Sequence, residues 1–157
     1  NRAVELIGSG AHPHRDWALT EVVHCKSLRA EGVKEAAQRC RELWLERIIA
    51  TSPAAIIVAL GAFGRDSFAR DLAGCPEGLG SQAGYNHLQP GERIIRDTFV
   101  AQVGDRPRVV VFNWRNGPGL TRQLPKVYGE PFIARLRRIA LAEEPVPATT
   151  TELHEAA

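Results

Sequence analysis

A glycine- and proline-rich segment, NWRNGPG at residues 113–119, carries side chains suited to binding a nucleic acid. The indole ring of Trp114 can stack on a base or wedge into a duplex, although a tryptophan that caps the core explains it nearly as well. Basic residues around the segment form a modest footprint for phosphates, which an ordinary solvated surface explains about equally well. These residues are Arg106, Arg108, Arg115, Arg122 and Lys126.

Thiols and imidazoles offer a second kind of chemistry. The cysteines of the chain are Cys25, Cys40 and Cys75. They are too few and too scattered for the disulfide framework of a secreted protein, so free thiols or metal ligands in a cytoplasmic protein are expected. His12, His14 and Asp16 can be written as a metal cluster. Without a third strong ligand, they are more simply interpreted as surface residues.

The overall composition is that of one folded domain. The chain has 157 residues, of which 44% are hydrophobic, and its 20 basic residues nearly balance its 18 acidic ones. This balance alone argues for no nucleic-acid partner, and no apolar run is long enough for a membrane helix. Because the chain contains no methionine, we expect residue 1 not to be a translated start and an N-terminal portion to be missing.

The elements that position the candidate residues follow from hydrophobic patterning. Residues 17–24, WALTEVVH, predict a strand that ends at Cys25. Apolar residues then recur at helical spacing and predict an amphipathic helix packed on a sheet. The predicted inward face of this helix comprises Val33, Ala36, Ala37, Cys40, Leu43, Trp44 and Ile48.

A continuous apolar run at residues 55–60, AIIVAL, is typical of a central parallel strand buried on both faces. Gly61 then turns the chain into a predicted helix over residues 63–72. The first N–H groups of this helix are placed to hold an anion at the edge of the sheet. A phosphate contact at Gly61 is one interpretation, and a glycine that only makes the turn is the simpler one.

The remaining pattern continues the alternation of strands and helices. Its predicted elements are an irregular connection (74–91), two strands (98–103 and 108–112), and a helix (131–141) with Phe132, Leu136 and Ile139 inward and Arg135, Arg137 and Arg138 on a solvated face. This order predicts a three-layer α/β/α sandwich with a mainly parallel central sheet, formed by residues 1–144. Residues 145–157 are acidic and low in complexity, and they predict a disordered tail.

Three segments, in this order, resemble the iron–sulfur branch of the uracil-DNA glycosylase superfamily. They are ALTEVVHCKS (18–27), SPAAIIVALGAFGRDSF (52–68) and VVVFNWRNGPG (109–119). In that family a strand leads into a cysteine, a proline precedes an apolar strand ending in Leu-Gly, and a later strand runs into an active-site loop. The resemblance covers about residues 17–141, and it implies the family's α/β/α fold.

The resemblance also implies an activity in DNA base-excision repair. Such enzymes flip a damaged nucleotide, for example one carrying uracil, out of the DNA and cleave its base from the sugar. A donor in the loop after the last strand stabilises the charge on the departing base, and the family typically uses a histidine there. The corresponding positions here are Trp114, Arg115 and Asn116. By the same resemblance, Thr20 and Glu21 lie where relatives read the edge of the base.

A [4Fe–4S] cluster is the cofactor that the resemblance implies. Cys25 and Cys40 match the second half of the family's four-cysteine set, whose first half lies near the N-terminus. The alternative is that Cys40 is a buried cysteine on an apolar helix face and that Cys25 is a thiol at the end of a strand.

Two kinds of function follow, with DNA as the expected partner and a monomer as the expected state. The first is a glycosylase-like hydrolase whose pocket is shaped by Glu21, Asn116 and Arg115. The second is a non-catalytic relative that keeps the fold and binds nucleic acid or another ligand without cleaving it. An unrelated nucleotide-binding α/β protein is a third interpretation, for which the chain lacks a phosphate-binding fingerprint.

Overall fold

The computed structural model describes residues 2–12, 15–18, 31–61, 64, 87–113 and 124–155. Its helices are α1 (Arg2–Ile7), α2 (Val33–Cys40), α3 (Glu46–Thr51), α4 (Pro90–Asp97), α5 (Leu124–Tyr128), α6 (Glu130–Ala140) and α7 (Thr150–Glu155), and a π-helical segment (Arg41–Leu45) joins α2 to α3. Its strands are β1 (Ile56–Leu60), β2 (Thr98–Val103) and β3 (Arg106–Asn113). Most of the predicted strand over 17–24 and of the predicted helix over 63–72 lies outside the described residues. Within them, no helix is long and apolar enough to cross a membrane.

β3 lies at the centre of a mixed sheet with the strand order β1-β3-β2. β1 runs parallel to β3, with Ile56 opposite Val109 and Leu60 opposite Asn113. β2 runs antiparallel to β3 and connects to it through a tight turn at Gly104, where φ is +70°. The described residues therefore form a mixed α/β structure in which all three strands match apolar runs of the sequence.

The sheet differs from the predicted one in two respects. The pattern predicts β1 as a central strand, but among the described strands it pairs on one side only, and most of its residues are half-buried. The central place belongs to β3, where Val109, Val110 and Val111 are completely buried. In addition, one of the two described pairings is antiparallel, because a short turn returns β2 directly onto β3.

Alternate side chains of the strands enter two apolar clusters on opposite faces of the sheet. The first cluster joins the strands to Leu45 and Ile49 of the long helical segment. The second cluster packs strand residues against α1, α4, α5, α6 and α7. Its helical members are Leu6, Ile94, Leu124, Tyr128, Phe132, Ile133, Leu136, Ile139 and Leu153. The predicted inward positions of α6 are thus confirmed.

The inward face of the long helical segment is predicted correctly only as far as Cys40. Ala37 and Cys40 are buried, as expected, but the next buried residues are Leu45 and Ile49. Leu43, Trp44 and Ile48, which the periodicity places inward, are exposed. The reason is the π-helical segment, which inserts one residue into the helical repeat and so rotates everything after Cys40.

Helix α4 lies partly where the sequence pattern predicts an irregular connection over residues 74–91. Gln89 and Glu92 form a capping box at its start, and the backbone N–H of Gln89 donates to Glu92 Oε2 at 2.6 Å. Pro90 occupies the first turn, where a missing N–H costs nothing. The capping residues, rather than the single Gly91, therefore determine the local structure.

The C-terminal residues correct the expectation of a disordered tail over 145–157. α7 contacts β2, and its Leu153 is completely buried in the second cluster. Arg135, predicted to face solvent, is buried and donates to the carbonyl oxygens of Glu152 and Leu153 at 3.1 and 2.6 Å. Its Nε also donates to Glu144 at 2.7 Å. The composition of the tail does not reveal these contacts, since they depend on one apolar side chain and on backbone oxygens.

Candidate functional site at the carboxyl ends of the parallel strands

The parallel pairing of β1 and β3 brings two predicted regions to the same edge of the sheet. Leu60 and Asn113 are opposite each other at the ends of these strands. Gly61, which follows Leu60, is buried and has a φ of +73°, a backbone conformation that favours glycine. β3 therefore ends at Asn113 beside Leu60 and Gly61, at the edge where ligands of α/β proteins usually bind.

The other predicted site residues cannot be compared with the structure. Thr20, Glu21, Trp114, Arg115 and Asn116 lie outside the described residues. Of the residues assigned to the base-reading strand, Gly61 and the loop, Gly61 is the one that is described. Its positive φ confirms the predicted turn, while a phosphate contact stays a prediction.

A buried carboxylate also lies at this edge, and sequence reasoning missed it. Because β2 is antiparallel to β3, its first residue, Thr98, is opposite Val111, close to the end of β3. The preceding residue, Asp97, is completely buried. A charged side chain is rarely buried completely unless it is paired, so Asp97 is a candidate functional residue.

Tyr128 connects Asp97 to the end of β3. Its hydroxyl lies 2.9 Å from Oδ2 of Asp97 and also contacts the carbonyl oxygen of Phe112. Asn113 separates Phe112 from residues 114–123. The Tyr128 hydroxyl thus fixes the backbone where the predicted active-site segment begins, in a buried environment that strengthens such hydrogen bonds.

The signal that could have found this pair is weak in the sequence. Asp97 is the last residue of α4 and directly precedes the strand β2, so it lies at one end of the sheet in any interpretation. Which end that is depends on the direction of β2, and a parallel arrangement places Asp97 at the opposite edge. The location of Asp97 at the edge of Leu60 and Asn113 therefore depends on the antiparallel direction of β2.

Arg108 is not a phosphate-binding residue of the kind that the sequence pattern predicts. It is completely buried, and its guanidinium donates to the carbonyl oxygens of Ala54 at 3.1 Å and Ala50 at 3.5 Å. Burial lowers the pKa of Arg108 from its ordinary value, and the positive charge of Arg106 lowers it further. Arg108 therefore anchors the chain between α3 and β1.

Arg106 likewise does not belong to the candidate site. It is exposed and pairs with Asp105 at 3.2 Å in the β2–β3 turn, at the far end of β3 from Asn113. Of the other basic residues predicted around the loop, Lys126 is exposed on α5, whereas Arg115 and Arg122 lie outside the described residues. The predicted basic footprint is thus not assembled by its described members.

The predicted metal ligands are only partly described. Cys40 is buried on the inner face of α2, while Cys25 and Cys75 lie outside the described residues. Within the described part of the chain, no group of three histidine, cysteine or acidic residues is placed to hold a metal ion. The single described thiol, that of Cys40, is compatible with one ligand of an iron–sulfur cluster and equally with an ordinary core residue.

The histidine and aspartate near the N-terminus form a surface turn. The backbone N–H of His12 donates to Asp16 Oδ2 at 2.8 Å, and Arg15 pairs with the same carboxylate at 2.8 Å. Arg15, with a smaller contribution from the His12 N–H, lowers the pKa of Asp16 to about 2. These contacts support the interpretation of His12 and Asp16 as surface residues, and His14 lies outside the described residues.

A cleft of about 300 Å³ lies beside the Tyr128 ring. Its lining is mainly apolar and consists of Pro90, Gly91, Ile94, Ile95, Tyr128, Gly129, Pro131, Phe132 and His154. Nε2 of His154 lies 3.1 Å from both the hydroxyl and the carbonyl oxygen of Thr98. A carbonyl oxygen only accepts, so Nε2 carries the proton. Burial lowers the pKa of His154, and its contact with Thr98 opposes this shift.

Comparison of the chain with protein-family models, with curated proteins and with solved structures finds no match. The likeness to the uracil-DNA glycosylase superfamily accordingly rests on the three quoted sequence segments. The described parts of two of them, residues 52–61 and 109–113, include the adjacent parallel strands β1 and β3.

Proposed function

We propose that this protein is a DNA glycosylase-like enzyme of base-excision repair that hydrolyses the N-glycosidic bond of a flipped damaged base such as uracil. The observation that carries the proposal is the parallel pairing of β1 with β3, which brings Gly61 beside the start of residues 114–123. The proposal includes a three-layer α/β/α sandwich with a mainly parallel sheet, of which β1 and β3 are one parallel pair.

In the proposed reaction, water adds to the sugar C1′ as the bond to the base nitrogen breaks, and the base leaves as an anion that takes up a proton. Asn116 and Arg115 donate hydrogen bonds to the developing charge. Trp114 stacks on the flipped base, Thr20 and Glu21 read its edge, and Gly61 lets the backbone approach a phosphate.

Asp97 and Tyr128 support this arrangement. The bond from the Tyr128 hydroxyl to the Phe112 carbonyl restrains the end of β3, and a restrained donor needs no reorganisation during the reaction. In this role the two residues position the loop and do not touch the substrate.

The proposal also includes DNA as the partner, a monomer, and a cytoplasmic location, which the small number of scattered cysteines supports. Cys25 and Cys40 are the proposed ligands of a [4Fe–4S] cluster. Two thiolates do not complete such a cluster, and no step of the proposed reaction passes through one.

A second candidate function is binding of DNA without cleavage. The observation in its favour is the sequence at residues 113–117, which reads Asn-Trp-Arg-Asn-Gly and contains no histidine where the family usually places its donor. In this case Trp114 and Arg115 still contact the nucleic acid, whereas no group completes the departure of the base.

Cleavage of single- and double-stranded DNA carrying uracil, hypoxanthine or xanthine tests the proposal, with abasic sites detected after alkali. We expect release of one of these bases by the protein and its loss in Asn116→Ala. Gln102→Ala is the matched control, because Gln102 is exposed towards the opposite end of β2. If base release survives Asn116→Ala, the role assigned to Asn116 is contradicted. If no base is released from any substrate, the proposed enzymatic activity is contradicted.

Binding to the same DNA separates the second candidate from an unrelated protein. We expect salt-dependent binding that Arg115→Ala weakens and Arg106→Ala does not, since Arg106 lies at the other end of β3. Binding of this kind without base release supports the non-catalytic function. Equal effects of the two substitutions contradict a DNA site at this edge.

A further inference from the structure

The long helical segment carries two alternative sets of apolar residues, one buried and one exposed. Leu45 and Ile49 are only 3% and 6% exposed and belong to the first cluster. Trp44 and Ile48, one position earlier in each case, are 55% and 39% exposed. Large apolar side chains are thus available to the sheet on two neighbouring faces of one helix.

The π-helical segment decides which set is buried. At its end, the backbone N–H of Glu46 bonds to the carbonyl oxygen of Arg41, five residues earlier, instead of four as in an α-helix. At its start, the N–H of Arg41 still bonds to Ala37. One surplus residue is therefore held between Cys40 and Glu46.

If residues 41–45 were α-helical, without the surplus residue, the helix would turn the face that carries Trp44 and Ile48 towards the sheet. Four residues after Cys40, one α-helical turn along, lies Trp44, and four residues later lies Ile48. Each set can therefore follow the same buried residues, Ala37 and Cys40. Trp44 and Ile48 do so at α-helical spacing, whereas Leu45 and Ile49 do so across the π-helical segment. The sequence periodicity favours the α-helical register, and the structure adopts the π-helical one.

We propose that residues 41–51 exchange between these two registers. In the second register the segment is α-helical throughout, the surplus residue passes into the extended linker at Ser52, and Trp44 and Ile48 replace Leu45 and Ile49 against the sheet. The exchange is a conformational switch that hides or presents an apolar strip containing Trp44. It is independent of the proposed enzymatic function.

The contacts after the helix oppose the exchange and define its cost. Arg108 bonds to the carbonyl oxygens of Ala50 and Ala54 on either side of the linker. Gly104 approaches Ala50 so closely that a Cβ at Gly104 would lie 3.4 Å from the Ala50 Cα. These contacts favour the observed register, so the second register is the minor one.

The decisive test follows the indole N–H of Trp44, assigned with Trp44→Phe, by ¹⁵N relaxation dispersion in the intact protein. We expect exchange on the microsecond-to-millisecond timescale in the wild type. Deletion of Glu42, which is exposed, removes the surplus residue and leaves Leu45 and Ile49 inward in an ordinary α-helix. It is expected to abolish the exchange. A flat profile in the wild type, or unchanged exchange in the deletion variant, overturns the proposal.

A second test forces the minor register in a background with Trp17→Phe and Trp114→Phe. Leu45→Gln disfavours the observed register, and we expect the Trp44 emission to shift to shorter wavelength while the helical circular dichroism is retained. The matched control, Leu43→Gln, changes an exposed residue and is expected to leave the emission unchanged. Retained helix with unshifted emission contradicts the switch. If Leu45→Gln does not fold, the relaxation measurement on the wild type still decides.

Discussion

The two faces of the sheet are stabilised in different ways. On the first face, the described packing comes from one helical segment, through Leu45 and Ile49. On the second, five helices bury a larger cluster, and arginines tie those helices together. Arg137, for example, donates to the carbonyl oxygens of Glu5 and Leu6 at 3.0 Å. The face with five helices is thus held by apolar packing and by arginine hydrogen bonds, whereas the described packing of the other face depends on one helical segment.

The largest expected effect is a cavity in the second cluster. Leu136 is completely buried, and Leu136→Ala should lower the free energy of unfolding by about 3 kcal/mol. The matched change on the first face, Ile49→Ala, should cost less, about 2 kcal/mol, because Ile48 can replace the lost side chain. Urea unfolding of both variants measures the difference. A greater loss for Ile49→Ala would reverse the comparison.

The hydrogen bonds of arginine side chains on the second face provide the next test. Arg135→Met removes three hydrogen bonds around α7 and should lower the free energy of unfolding by about 2 kcal/mol. Amide hydrogen exchange in α7 should accelerate with it. Arg138→Met is the control, since Arg138 is exposed and should change stability by no more than about 0.5 kcal/mol. Equal losses in the two variants would show that α7 does not depend on Arg135.

The buried pair of Asp97 and Tyr128 at the sheet edge provides a third test of the second face. Tyr128→Phe keeps the ring but removes one hydrogen-bond partner from Asp97 and from the Phe112 carbonyl, and it should cost about 1.5 kcal/mol. If this pair positions residues 114–123, DNA binding should weaken by more than the stability loss explains. Binding measured where the variant is fully folded separates the two effects, and unchanged binding contradicts the positioning role.

The smallest expected effect is a pH dependence from His154. Its pKa in the folded protein is lowered from 6.5, so the folded state binds fewer protons than the unfolded state does. The stability contribution is therefore complete above the unfolded pKa and is lost as the pH falls from about 7 towards the lowered value. We expect a loss of a few tenths of a kcal/mol, since solvent screens this partly exposed group. Unfolding of His154→Gln should depend less on pH over this range, whereas the exposed control His87→Gln should behave like the wild type.

The local pattern of the sequence determined where the strands and several helices lie. Apolar runs predict β1 and β3, a weaker pattern predicts β2, and the spacing of Phe132, Leu136 and Ile139 predicts the buried face of α6. The turn at Gly61 is predictable in the same way, because it depends on the residues next to it. These features need only short-range information, since side-chain alternation and backbone preferences act within a few residues.

Only the tertiary structure decided which side chains those elements bury together. The direction of β2 places Asp97 at the site, the π-helical segment exchanges Trp44 for Leu45, and contacts from Arg135 order the tail. In each case the outcome depends on pairing or packing between different elements, and the same local pattern is compatible with another outcome. The spacing of apolar residues identifies the faces of an element that can be buried. The packing partner determines which of these faces is buried.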